Sequence, residues 1–187
     1  MDTQERDSET EWIRRSQRGD KEAFGFLVKK YMRQAYCAAV GFLGAHDEAL
    51  DASQEAFVRA FLSIGRFDAT KKFYTWYYRI LRNHCLNVVR NKRIRTISFS
   101  QIFDESFEVI SSDPSSEEIL ERRELRKAVW EGLWKLEVDD REILVARDIL
   151  GTPYATLAEL LECPIGTVMS RLYHARRRLR ENLEGKV

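Results

Sequence analysis

The chain has 187 residues, 44% of them hydrophobic, and its 31 Lys and Arg nearly balance its 30 Asp and Glu. That length allows one or two domains with a core in each, and the widely spaced Cys37, Cys85 and Cys163 exclude a disulfide framework or a zinc knuckle. The balance hides segregation: nine bases face the single acid Asp68 between Arg66 and Ser100, seven acids and no base lie between Gln101 and Glu121, and five arginines and no acid follow between Arg171 and Arg180. Blocks of one sign imply separate surfaces with separate partners.

In chain order, Met1 to Glu11 is acidic and lacks the basic end and apolar run of a signal peptide. No window approaches the roughly 18 apolar residues that a membrane span requires, so the expectation is a cytoplasmic protein without membrane insertion. Asp7 or Ser8 is expected to cap an opening helix with Trp12 and Ile13 on its apolar side, ended by Gly19-Asp20. A second amphipathic helix follows from Lys21, with Phe24, Leu27, Val28, Tyr31, Tyr36 and Val40 at helical spacing, broken by Gly41 and Gly44.

A third helix is predicted from about His46 to Ile64, its Ala49, Ala52, Ala56, Phe57, Ala60 and Phe61 forming a narrow stripe suited to close helix approach. Its early part carries Asp47, Glu48, Asp51 and Glu55 and no base. After a Gly65 to Thr70 loop, a fourth helix from about Lys72 to Arg93 combines rings with bases. Phe73-Tyr74-Thr75-Trp76-Tyr77-Tyr78 places five aromatics in six positions. Consecutive residues wrap around a helix, so these rings cannot all face one core. Rings beside Lys71, Lys72, Arg79 and Arg82 suit unpaired bases, which stack on aromatic planes while cations meet phosphate. The competing reading packs Trp76, Tyr77 and Ile80 inward.

From Thr96 to Ser116 the helical period disappears, as expected of a linker. Ser115-Ser116-Glu117-Glu118 then reads as a helix start. Between Asp139 and Leu183, Ile143, Leu144, Val145 and Ile149 mark one helix ending at Gly151, and Tyr154, Leu157, Ala158 and Leu161 mark another. Cys163-Pro164-Ile165-Gly166 forms a tight connection, and Thr167 is expected to cap a last helix with Val168, Leu172, Ala175 and Leu179 inside. Two short helices around a tight turn, the second followed by arginines, make a helix-turn-helix arrangement. The entering end of such a helix faces base edges and later bases meet phosphate. Thr167, Met169, Ser170, Tyr173 and His174 occupy the entering end, with Arg171, Arg176, Arg177, Arg178 and Arg180 as phosphate candidates.

The fold class expected is all-α: an N-terminal helical bundle over 1–95, a flexible linker over 96–116, and a C-terminal helix-turn-helix bundle over 117–187. No paired-carboxylate metal site, activated nucleophile or glycine-rich phosphate loop stands out, so an enzyme, a metal and a cofactor are not expected. A stand-alone helix-turn-helix regulator would explain the C-terminal part and leave the acidic helix and the aromatic cluster unused.

Asp51-Ala-Ser-Gln54-Glu55-Ala-Phe57-Val-Arg-Ala-Phe61, Phe67-Asp68, Phe73-Tyr-Thr-Trp76-Tyr-Tyr-Arg79-Ile and Pro164-Ile-Gly166-Thr167-Val-Met-Ser170-Arg171 together resemble the extracytoplasmic-function group of sigma-70 family factors. The resemblance implies a transcription-initiation factor that joins core RNA polymerase through its β′ and β subunits, binds promoter DNA and is restrained by an anti-sigma factor. It implies that Asp47, Asp51, Gln54, Glu55 and Phe57 dock on the β′ clamp helices. The loop Phe67 to Lys72, containing Asp68, Lys71 and Lys72, would hold a flipped base of the −10 element in a pocket lined by Ser63 and Phe67. Phe73, Tyr74, Trp76, Tyr77, Arg79 and Arg82 would support melting and strand capture. The acidic tether would thread toward the active-site channel. Ser170, Tyr173 and His174 would read the −35 element beside Thr167, Met169 and Arg177, with Arg147 and Arg171 or Arg176 on the backbone. Met169 and His174 stand where the family usually has bases, and Thr152-Pro153-Tyr154-Ala155-Thr156 replaces a more acidic helix start.

Overall fold

The computed structural model describes residues 3–91 and 116–184. Among the described residues are eight α-helices, a 3₁₀ turn, a π turn and no strand, so the chain is all-α. It divides into two compact units: Met1–Leu43 with Asp47–Arg93, and Gly44–His46 with Ile94–Val187. The expected linker lies outside the described residues, except that Ser116 already begins a helix.

In the first unit, α1 (Thr3–Gln17) begins before Asp7 and Ser8, which lie within the helix rather than capping it. Gly19, at φ +91°, turns the chain, and Asp20 caps α2 (Lys21–Leu43): its Oδ1 accepts from the Ala23 N–H at 3.0 Å while Arg15 pairs with its Oδ2. These bonds, the Ala23 amide first, hold the Asp20 carboxyl below the usual carboxylate range. The expected break at Gly41 does not occur. Continuous burial from Cys37 to Leu43 offsets the ~1 kcal/mol helix penalty of a glycine, and α2 ends only before Gly44, at φ +76°.

Helix α3 (His46–Ser63) buries Ala49, Ala52, Ala56, Phe57 and Ala60, the stripe read from the sequence, while Phe61 is half-buried. A 3₁₀ turn (Ile64–Arg66) and a short loop lead to α4 (Phe73–Asn91). The core is a ring cluster. Phe57 stacks on Tyr77 at 4.3 Å and Phe73 on Tyr31 at 5.7 Å, while Phe24 meets Phe57, Phe61 and Phe73. Such pairs contribute roughly 0.5–1.5 kcal/mol each beyond area burial. A buried carboxylate ties α1 to the cluster: Glu9 accepts from the Tyr31 hydroxyl at 2.6 Å and pairs with Lys30 at 2.7 Å.

In the second unit, α5 (Ser116–Trp134) packs on α8 (Ile165–Leu183), and α6 (Val138–Leu144) continues into a π turn at Val145–Ile149. The sequence predicts one helix to Gly151 instead. Helix α7 (Tyr154–Leu160) follows Gly151, at φ +66°. The connection to α8 also departs from expectation. Pro164 is the N-cap residue and its carbonyl accepts from Thr167 N–H at 2.9 Å, so Thr167 lies inside the first turn and caps nothing. Pro at this position fixes φ near the value it needs, −59° here, and Glu162 takes the left-handed conformation that closes the turn.

Candidate nucleic-acid and polymerase interfaces

On α3, Asp47, Asp51 and Gln54 are exposed, as a docking face requires. Glu55 is paired with Arg59 at 2.7 Å one turn on, a contact that lowers its pKa. Phe57 does not share this face: only 7% exposed, it stacks on Tyr77 and belongs to the core. The face instead carries Leu50, Val58 and Leu62, exposed apolar residues that the sequence reading missed because their spacing blends into the core stripe.

The loop between the 3₁₀ turn and α4 is built from inside. Phe67 is buried, tilted on Trp76 at 4.8 Å and edge-on to Phe73. Asp68 folds the loop on itself, its Oδ1 accepting from the hydroxyl and the amide of Thr70 at 2.8 and 3.0 Å, which holds its carboxyl below the usual range. Gln17 of α1, unforeseen from the sequence, donates its Nε2 to the carbonyls of Ile64 at 3.1 Å and Phe67 at 2.6 Å. Nothing in the local pattern marks this contact, because it spans 50 residues. The Ser63 hydroxyl turns back to the Arg59 carbonyl at 2.7 Å. Arg66, Lys71 and Lys72 are exposed around the loop.

Helix α4 separates its rings by face. Phe73 and Tyr77 are wholly buried, so neither offers a plane to a base, and their expected role as direct DNA contacts is withdrawn in favour of core support. Trp76 and Tyr74 are half-buried, Tyr74 stacked on Tyr31 at 5.3 Å. Arg79 is exposed and Arg82 half-buried. Burial pushes the phenols of Tyr74 and Tyr77 above their ordinary range.

The helix-turn-helix is α7, the Leu161–Pro164 turn and α8. Val168, Leu172 and Ala175 anchor α8 to its unit, which turns Gly166, Met169, Ser170, Tyr173, Arg177 and Arg180 outward. Arg171 is exposed on a flanking face and His174 is half-buried with its ring edge-on to Tyr173. Two phosphate candidates are spoken for. Arg176 donates to both carboxylate oxygens of Asp148, and Arg178 to both of Asp140, clasping α8 to the π turn and to α6. Arg147 donates to the Thr152 carbonyl at 2.9 Å and stacks its guanidinium on Tyr154 at 4.5 Å, holding the start of α7. Arg141, whose role the sequence did not show, is buried, donates to the Leu136 carbonyl at 2.7 Å and lies 4.1 Å from the Trp134 ring centre; burial pulls its pKa down to about 10.

Among the described residues no His, Cys, Asp or Glu group could hold a metal ion, and no helix is long and apolar enough to cross a membrane.

Residues 27–94 match the family model Sigma-70 region 2, and residues 126–179 match Sigma-70, region 4. The RNA polymerase sigma-H factor of Pseudomonas aeruginosa is 35% identical over 189 residues, covering 98% of this chain and 97% of that one. The ECF RNA polymerase sigma-E factor of Escherichia coli K12 is 31% identical over 180 residues, covering 94% and 92%. Among solved structures, CnrH in complex with the cytosolic domain of CnrY superposes with a TM-score of 0.70 at 23% identity, over 96% of this chain and 99% of that one. The sigma factor RpoE from Bartonella quintana, solved with the anti-sigma factor NepR, gives 0.62 at 23%, over 88% and 98%. With full-length relatives above 30% identity and both regions present in order, the chain belongs to the extracytoplasmic-function group of the sigma-70 family.

Proposed function

We propose that this sigma factor joins core RNA polymerase, recognises the −10 and −35 promoter elements and promotes melting, without catalytic chemistry of its own. The observation that carries this reading is the presence of regions 2 and 4 in order on one chain, the second bearing an outward α8. A stand-alone regulator would need only the second.

Residues 1–95 serve as the polymerase and −10 domain, 96–116 as a tether and 117–187 as the −35 domain. Asp47, Asp51 and Gln54 dock on the β′ subunit, their exposure supporting this role, with Glu55 beside them. The Phe67 to Lys72 loop captures an extruded base, with Ser63, Asp68 and Trp76 at its border and Lys71, Arg79 and Arg82 on the strand. Binding the base offsets an unstacking cost of a few kcal/mol, so melting needs no hydrolysis. Met169, Ser170, Arg171, Tyr173, His174 and Arg177 read and grip the −35 duplex. Two modest interactions on one tether act through effective concentration, which makes the spacing between elements part of specificity. The factor works in the cytoplasm, where polymerase and promoter are found, and is restrained by an anti-sigma factor, a reading supported by the partner named for the Bartonella quintana protein.

In vitro transcription with core polymerase on a library of randomised promoters tests this. The expected result is transcripts from a subset sharing two spaced elements. Tight duplex binding by the free protein, without co-purification with core polymerase, would instead establish a stand-alone regulator.

A further inference from the structure

We infer that α8 reads thymines of its duplex through their 5-methyl groups, received by an apolar ridge of Ile165, Met169 and Tyr173. This rests on the assignment of α8 to the −35 element.

The three residues are spaced four apart and so lie one above another on a single helix face. They are large and apolar, yet 44, 53 and 66% exposed. They are not spare core residues, because Val168, Leu172 and Ala175 already fasten the adjoining face and leave these three exposed. The same face continues toward the C-terminus with exposed Arg177 and Arg180. An apolar leading end running into cations fits a polyanion that offers apolar features in a recess, and the DNA major groove is such a surface.

Base-edge chemistry narrows the reading. Guanine is recognised by a forked cation and adenine by a side-chain amide, whereas the thymine methyl is the apolar feature of the major groove. Ile165, Gly166 and Met169 offer no side-chain hydrogen bond, and Ser170 and Tyr173 offer one hydroxyl each. The Arg176 guanidinium, three residues beyond Tyr173, is bonded through Nε and Nη2 to Asp148, and exposed Arg171 stands on a flanking face. Met169 therefore takes thymine methyls where a base in its place would take guanine, and its unbranched thioether adapts to their positions.

The test uses holoenzyme assembled from core polymerase and the full chain. Duplexes randomised across the −35 element are enriched by binding, and each thymine of the enriched element is then replaced by deoxyuridine, which removes only the methyl. The expected result is at least one position where the replacement weakens binding about fourfold, the worth of one buried methyl. In Met169→Ala that preference falls below about twofold, and Met169→Leu, of similar bulk, keeps it. Enriched elements indifferent to every deoxyuridine, or an undiminished preference in Met169→Ala, overturn the inference while leaving α8 as the −35 reader. No enrichment across the −35 element overturns both.

Discussion

Arg176 closes a two-point clasp on Asp148, its Nε donating to Oδ2 at 3.0 Å and its Nη2 to Oδ1 at 2.6 Å. Its neighbour Arg177 has only a loose contact with Glu181 at 3.7 Å. Adjacent arginines on one helix thus do different work: the first holds α8 against the π turn, and the second remains available to phosphate.

This difference is measurable as a salt dependence. Each phosphate neutralised contributes about 0.9 to the slope of log affinity against log salt. Arg177→Ala lowers the holoenzyme's slope on −35 duplex by about that amount. Arg176→Ala leaves the slope in place and instead destabilises the second unit by about 0.2–1 kcal/mol, the range for a half-exposed, solvent-screened pair. The reverse pattern would show that the clasp opens on DNA.

Gln17 holds the loop proposed to capture the −10 base from outside it. Gln17→Glu keeps the shape, removes the donor and sets a carboxylate against two carbonyls. Capture of a single-stranded −10 oligonucleotide by holoenzyme should fall about tenfold, in line with the loss of a buried hydrogen bond and the penalty of the unpaired groups. Affinity for isolated −35 duplex should not change. Equal losses in both assays would reduce Gln17 to a residue that merely holds the fold.

Phe73 and Trp76 sit one turn apart on α4 and should separate stability from melting. Phe73 is wholly buried, and Phe73→Ala should cost about 3–5 kcal/mol in urea unfolding of the first unit. Trp76 is half-buried against Phe67, and Trp76→Ala should cost less stability while abolishing permanganate-reactive thymines in the melted promoter. Intact melting by Trp76→Ala would remove that ring from strand capture.

Tyr77 predicts an alkaline limit. Its phenol is buried, donates to the Ser53 carbonyl at 3.2 Å, and has its pKa raised by burial. The unfolded chain releases this proton near pH ~10, before the folded chain does. The contribution is therefore complete below that pH and is lost as pH rises above it. Tyr77→Phe should lose about 0.5–1.5 kcal/mol at pH 8 and show a shallower fall in stability between pH 8 and 11, followed by urea unfolding. A parallel fall in both proteins would exclude Tyr77 as a source of the limit.

The sequence by itself determined the helical class, the alanine stripe of α3, the helix-turn-helix and the separation of charge into blocks. Each is a local or periodic property: burial of one helix face recurs every three or four residues, so Ala49, Ala52, Ala56 and Ala60 or Val168, Leu172 and Ala175 announce their own orientation. Tertiary structure decided which members of a run do which work. Five rings in six positions do not reveal that Phe73 and Tyr77 form the core while Trp76 lies against the loop, because that depends on where Phe57 and Tyr31 arrive from other helices and Phe67 from the loop. Nor does an arginine run reveal that Arg176 and Arg178 are held by Asp148 and Asp140, 28 and 38 residues away, or that Gln17 reaches the Phe67 carbonyl. A side chain's availability to DNA depends on partners brought together by packing, and sequence spacing carries no record of them.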